Sequence, residues 1–472
     1  SEGAFHILKS ALTRKVDRKF RAPLARLAYR LGHFSLGIKL LNPIVRPGPK
    51  DKVEATSDEK ALYAAGLTNI GANNEAFEIL RSIKLNECPD AGLYLAYAHM
   101  GEWNYTAAIP ILKQYVQHAG LTPYQVIVGN VNLAAALVFE TDDPANSLLG
   151  DLIVKTEKLP LLRGNCLELR AQYAIQHKDW DLAEQSLNES ASLLRSMGTL
   201  DTFFVQKWKS ILAVIKENGS ASSMESLRAV GAEAVKKRHW ETARHVDLIL
   251  GRFEKTAATL IQLYFGTPYP RFRERILSEG GQTLHLPDRY SWVPPGAPSG
   301  GKALNLIEDG TSTLKTGQLL HRFMRVLASD FYRPQRVAAL HAQLFPGEYF
   351  NPVSSPIRIH QIVKRMRQWM ESTKQPFILH EDKGMYSLLA TLSCTIIVPK
   401  ESQLSSADMW ELRLNEHYAS ESFTSTDLAK LFGCSQRTGK RILNRLEAEG
   451  KIVRVNTQEP TPHYALTLRK AA

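Results

Sequence analysis

Cysteine is scarce in this 472-residue chain, and the little there is lies scattered. Cys88, Cys166, Cys394 and Cys434 include no C-x-x-C pair, which argues against a zinc knuckle and against a disulfide framework. Long hydrophobic runs are missing as well. No apolar stretch approaches the ~20 residues that span a bilayer, and the opening SEGAFHILKS has no secretory core. Acids are outnumbered, 47 Asp and Glu against 59 Lys and Arg, which leaves a formal net charge of +12. That balance favours a polyanionic partner, most simply nucleic acid. The chain reads as reduced and intracellular, with no membrane partner, and its length suggests about three domains of ~150 residues.

A phosphate loop is also missing, although one stretch imitates it. GAPSGGKA places Gly296, Gly301 and Lys302 at the right spacing, but Ala303 lacks the hydroxyl that holds magnesium. Pro294 and Pro295 upstream do not fit a central strand, and ALNLIEDG downstream alternates like a strand where a helix is needed. The stretch is expected to be a flexible linker. No catalytic constellation stands out: His177 and His239 fall in polar turns and read as surface or capping residues. No enzyme activity, metal or cofactor is expected.

Up to about residue 265 the apolar residues follow a helical period. LAYRLGHFSLGIKLL, IGANNEAFEIL, MGEWNYTAAIPIL, AIQHKDWDLAEQSL and AVKKRHWETARHVDLIL each read as helix, short polar turn, second helix. The small residues Gly37, Ala76, Ala108, Ala183 and Ala243 fall where two helices cross closely, with a degenerate unit expected around Ser147. AYAHMGEWNYTAAIPIL resembles the tetratricopeptide repeat, whose ~34-residue period fits these intervals. The resemblance implies stacked helix pairs with a groove that takes a protein or peptide. Trp103, Trp180 and Trp240, at the turns, read as packing residues. Arg14, Lys15, Arg18, Lys19, Arg21, Arg26 and Arg30 make the first segment basic: a transit peptide, a nucleic-acid arm, or the solvated face of a packed repeat helix.

Proline and glycine crowd residues 266–302, as in a linker. Beyond it, residues 303–317 read as a hairpin turning at Asp309-Gly310, followed by helices in QLLHRFMRVLASD and QRVAALHAQLF. A third helix is expected from Ser355 as N-cap with Pro356 at its first position. Its apolar stripe is Ile359, Ile362, Val363, Met366 and Trp369; the opposite face carries Arg358, Gln361, Lys364, Arg365 and Gln368, with His360 and Arg367 at the margins. FILHEDKGMYSLLA then forms a wing around Asp382-Lys383-Gly384. The order of these elements, with IVKRMRQWM and KGMYSL, resembles the OmpR/PhoB-type winged helix of bacterial regulators. That resemblance implies a third helix in the DNA major groove and a wing, with Lys383, on the adjacent backbone or minor groove. The receiver domain usual in that family has no counterpart in residues 1–265.

A second unit covers FTSTDLAKLFGCSQRTGKRILNRLEAEGKIVRV. Leu428, Ala429 and Leu431 face inward, Gly433 turns, Ser435 opens the next helix, and Gly450 ends it. Gln436, Arg437, Lys440, Arg441 and Asn444 share the exposed face. Residues 452–455 and 463–466 would pair as a second wing. This resembles the winged helix-turn-helix of bacterial regulators, except that Gly439 stands where a β-branched or small core residue is usual, at a cost of ~1 kcal/mol in helix propensity.

The expected fold is mainly α: a tetratricopeptide-like α-solenoid over 1–265, a linker over 266–302, and two α+β winged helices over 303–398 and 399–472. The expected role is a cytoplasmic, bacterial-type transcription regulator whose partners are double-stranded DNA and a protein or peptide. Arg suits guanine, and Gln or Asn suits adenine, in a major groove. Alternatively the basic faces are merely solvated and the chain is an assembly scaffold. The two winged helices either read two half-sites in one chain or leave the second to form a homodimer.

Overall fold

The computed structural model describes residues 16–47, 54–140, 144–195, 201–254, 257–296, 301–305, 314, 318–400, 410–411, 414, 417–418, 421–432, 436–456 and 461–467. The chain is mainly α and divides into two compact units, Ser1–His285 with Gly347–Pro356, and Leu286–Pro346 with Ile357–Ala472.

The first unit is a succession of helices: α1 (Arg18–Arg30), α2 (Phe34–Val45), α3 (Ser57–Ile70), α4 (Asn73–Arg81), α5 (Pro89–Gly101), α6 (Tyr105–Val116), α7 (Pro123–Phe139), α8 (Pro144–Lys155), α9 (Pro160–Gln176), α10 (Trp180–Leu194), α11 (Asp201–Lys216), α12 (Ala221–Lys236), α13 (Trp240–Phe253), α14 (Ala258–Phe265) and α15 (Pro270–Glu279). Each helix packs on the next, and α1, α3, α7 and α9 also pack on the next but one.

Six of the hairpins share one turn. Gly32, Gly71, Trp103, Lys178, Asn218 and Arg238 take left-handed backbone conformations, φ 49° to 90°. In each case the following amide donates to the carbonyl five residues back, at 2.8 to 2.9 Å. That bond closes the first helix and aims the second back along it. The small residues then let the pair approach: Gly37, Ala76, Ala108, Ala183 and Ala243 are all buried, and a Cβ on Gly37 would lie 2.2 Å from the Tyr29 ring. At the degenerate unit the small crossing residue is Ala145, fully buried, and not Ser147, which is exposed. The basic face of α1 is partly committed to packing, since Arg18 pairs with Glu59 at 2.8 Å and Arg26 with Asp58 at 2.6 Å. Arg14 and Lys15 lie outside the described residues.

Residues 266–296, expected within a linker, contain a helix and a strand. Phe272 and Ile276 of α15 are fully buried, and Arg289–Trp292 form a strand. Gly347–Pro356 also belongs to the helical unit. There the buried Glu75 carboxylate accepts the Phe350 amide at 2.7 Å and pairs with Arg46 at 3.1 Å, while the Arg46 guanidinium lies 3.5 Å from the centre of the Tyr349 ring.

The second unit contains β1 (Arg289–Trp292), β2 (Lys302–Asn305), α16 (Leu319–Leu327), β3 (Gln335–Arg336), α17 (Val337–Leu344), most of α18 (Ser354–Ser372), β4 (Phe377–Asp382), β5 (Met385–Ala390), β6 (Cys394–Pro399), α19 (Ser425–Phe432), α20 (Gln436–Ala448), β7 (Ile452–Asn456) and β8 (His463–Leu466). One sheet runs β1-β6-β2, a second β3-β5-β4, and a third pairs β7 with β8. β2 lies parallel to β6, and the return half of the hairpin expected over 303–317, with Asp309-Gly310, lies outside the described residues except for the buried Leu314. The imitation of a phosphate loop resolves the same way: Lys302 opens a strand instead of a helix. A Cβ on Gly301 would meet the Ser393 carbonyl at 2.1 Å, so that glycine serves strand packing.

Candidate nucleic-acid interface

Two helix-and-hairpin assemblies carry the side chains expected to touch DNA. In the first, α18 turns Ile359, Ile362, Val363, Met366 and Met370 inward, all at most 5% exposed. Trp369, expected in this stripe, is only half-buried, because the drift of a 3.6-residue period hands the last inward place to Met370. The helix begins at Ser354, two residues before the expected Pro356. Asn351 caps it by accepting the Val353 and Ser354 amides at 2.9 and 3.0 Å, while the Ser355 hydroxyl accepts the Asn351 amide.

The opposite face divides into committed and uncommitted groups. His360 Nδ1 lies 3.1 Å from the Tyr386 hydroxyl on the wing. Burial pushes that phenol up to about 12, so it stays neutral. Arg367 faces the wing carboxylate Glu381 at 3.5 Å, and the guanidinium of Arg358, half-buried, stacks 3.8 Å from the centre of the Phe345 ring. Gln361, Lys364, Arg365 and Gln368 are exposed and engage no partner among the described residues. Their spacing of i, i+3, i+4 and i+7 places them on one stripe of the helix.

Beside them the wing folds as a two-residue hairpin. β4 and β5 pair in antiparallel register from Phe377↔Ala390 to Asp382↔Met385, and Lys383 and Gly384 make the turn with φ of 52° and 74°. Positive φ at both central positions suits a primed turn, whose twist matches the strands. Lys383 is exposed at the tip.

The second assembly has a single apolar cluster, in which Leu428, Phe432, Ile442, Leu443 and Leu446 join Trp410, Phe423, Ile452 and Tyr464. Phe432 takes the buried place expected of Leu431, which is half-buried. Thr424 and Asp427 cap α19 reciprocally, the Thr424 amide donating to the carboxylate at 2.9 Å and the Asp427 amide to the hydroxyl at 3.3 Å. These bonds from Thr424 hold the Asp427 carboxyl below its usual range.

The expected turn Gly433 and helix start Ser435 lie outside the described residues; α20 is described from Gln436. Gly450 ends it with φ 68°. Gln436, Arg437, Lys440, Arg441 and Asn444 are all exposed. Gln436 donates to the Thr426 hydroxyl at 3.1 Å. β7 and β8 pair antiparallel, with Phe423 bridging to Tyr464.

Gly439 has a physical reason that sequence reasoning missed. It is buried where α19 and α20 cross, and a Cβ there would lie 2.8 Å from the Ser425 carbonyl and 3.3 Å from the Ala429 methyl. The residue is a spacing device, not a weak point chosen at random. A glycine amid an otherwise strong helix-turn-helix pattern was the signal that could have revealed it.

In the helical unit Trp103, expected to pack at its turn, is held by residues far along the chain. Trp103 Nε1 donates to Glu241 at 2.6 Å, and its ring meets Phe139, His245 and Phe272 at centroid distances of 5.3, 6.2 and 4.3 Å. His177 is exposed and His239 precedes α13 without capping it by its side chain.

Among the described residues no group of three or more His, Cys, Asp or Glu side chains is placed to hold a metal ion, and no helix is long and apolar enough to cross a membrane. No protein-family model matches the chain, and no curated protein matches it either.

Proposed function

We propose that the chain is a DNA-binding transcription regulator of bacterial cytoplasmic type, whose second unit engages duplex DNA through α18 and the β4–β5 wing, in the manner of a winged helix. The observation that carries this reading is the stripe Gln361, Lys364, Arg365 and Gln368, exposed and uncommitted beside Lys383. Lysine and arginine on such a stripe displace condensed counterions from phosphates, while arginine and glutamine carry donor geometries that fit guanine and adenine edges. In the same reading α20 is a second, weaker contact, and the tetratricopeptide-like helices form the input module that receives a protein or peptide partner.

The test is fluorescence anisotropy of the full chain with a labelled duplex between 50 and 200 mM salt. Affinity should fall linearly on a log–log plot, with a slope of several ions for several phosphate contacts. No binding at the low-salt end would end the proposal.

A second reading, an assembly scaffold, draws on Val453 and Val455, exposed at 49% and 58% on one side of β7. Apolar side chains side by side on a wing suit a protein contact. A stoichiometric partner that co-purifies with a chain lacking DNA affinity would favour it.

A further inference from the structure

We infer that the helical unit holds a binding site for a small aromatic carboxylic acid, in a pocket between the first helices of its first three hairpins. The cavity has a volume of about 310 Å³ and is walled by α1, α3 and α5. That size is at the lower end of the ~300–1,000 Å³ range of small-molecule sites.

The shape of the wall follows from the sequence. Arg26, Tyr29 and Arg30 stand at i, i+3 and i+4 on α1, and Tyr94 and Tyr97 at i and i+3 on α5, so each helix presents one stripe to the same space. Phe34 closes the side next to Tyr29, ring centroids 5.5 Å apart. Flat aromatic walls favour a flat ligand, which they meet by offset stacking or edge contact. Burial raises the Tyr94 phenol to about 12, so this wall stays uncharged at neutral pH.

Charge selects the polar end of the ligand. Arg26 is held by Asp58 at 2.6 Å, whereas Arg30 is exposed at the rim and engages no partner among the described residues. An uncommitted guanidinium matches a planar carboxylate through two parallel hydrogen bonds. This inference is independent of the DNA-binding reading.

The probe is 2-naphthoate, with neutral 2-naphthamide as its control, titrated calorimetrically into the full chain. We expect saturable one-to-one binding of naphthoate. Arg30→Gln should weaken naphthoate about tenfold or more, the effect of removing a charged hydrogen-bonding partner, and leave naphthamide unchanged. Ala65→Trp, which fills the pocket from α3, should abolish both, with circular dichroism confirming that each variant is folded. The inference is overturned by a folded chain that shows no saturable naphthoate binding at millimolar concentration, or by an Arg30→Gln variant that weakens acid and amide equally.

Discussion

Two helices of the second unit, α18 and α20, carry nearly the same inventory of Lys, Arg, Gln and Asn, and yet the fold treats them differently. α18 is 19 residues long, leaves Gln361, Lys364, Arg365 and Gln368 without a partner among the described residues, and directs its marginal cation Arg367 to Glu381 on the β4–β5 hairpin. α20 is 13 residues long, is seated on α19 through a glycine contact at Gly439, and has Gln436 tied to Thr426, while Arg437, Lys440 and Asn444 engage no partner among the described residues. The lesson is that a basic stripe is half a statement. What sets the two helices apart is how each is seated: α20 is drawn tightly onto α19 at Gly439, whereas α18 ties its marginal groups His360 and Arg367 to the adjacent hairpin.

The largest effect that would test this contrast is on DNA affinity. Replacing Lys364 and Arg365 together by Ala should cost about 100-fold at moderate salt and flatten the salt dependence by about two ions. The matching pair on α20, Arg437 and Lys440 to Ala, should cost under about tenfold if that helix is the weaker contact. Equal losses would erase the distinction drawn between them.

The next effect concerns stability. Helix propensity alone says that Gly439→Ala stabilises by ~1 kcal/mol, whereas the crowded crossing says that it destabilises by ~1–3 kcal/mol, the cost of overpacking. Hydrogen-exchange protection of residues 436–448 decides between the two signs, with the α18 amides as an internal reference.

A smaller effect is tied to pH. Because the folded Asp427 carboxyl is held below its usual range by Thr424, its contribution is present above the unfolded value of ~3.9 and is lost as pH falls through the folded value. Asp427→Asn should therefore flatten the acid limb of the unfolding curve of the α19–α20 assembly, and Thr424→Ala should cost about 1 kcal/mol near neutrality. An unchanged acid limb would show that the cap is not the titrating element.

The smallest effect is a gain. Glu381→Gln releases Arg367 from its ion pair and should tighten DNA binding about two- to threefold, because an exposed pair is worth only a few tenths of a kcal/mol to ~1 kcal/mol. Weaker binding would show that Glu381 holds Arg367 in its working position.

Much of this was legible beforehand where a local rule governs. The inward stripe of α18 from Ile359 to Met366, the Lys383-Gly384 turn, the α20 C-terminus at Gly450 and the small residues at the hairpin crossings all follow from periodicity or from backbone preference. What eluded it depends on partners distant in the chain. The parallel pairing of Lys302–Asn305 with Cys394–Ile397 joins segments about ninety residues apart, and nothing in either strand announces the other. The ion pair of Arg367, the stacking of Arg358 on Phe345 and the contact that explains Gly439 are likewise tertiary, so the sequence showed which groups stand on the face but not which of them are already spoken for. Trp103 was identified as a packing residue, but its hydrogen bond to Glu241 joins residues 138 positions apart in the chain.

The route of the chain also governs how the molecule can be dissected. Because Gly347–Pro356 folds with the helical unit while the residues on either side of it fold with the other, no single scissile position yields two complete halves. A fragment begun at residue 286 would take Tyr349 and Phe350 away from Arg46 and Glu75, leaving a buried carboxylate without the amide it accepts and an aromatic ring without its cation. Truncated fragments should therefore be unstable on both sides of the cut, and separating the two units calls for grafting a replacement for this short excursion instead of trimming an end.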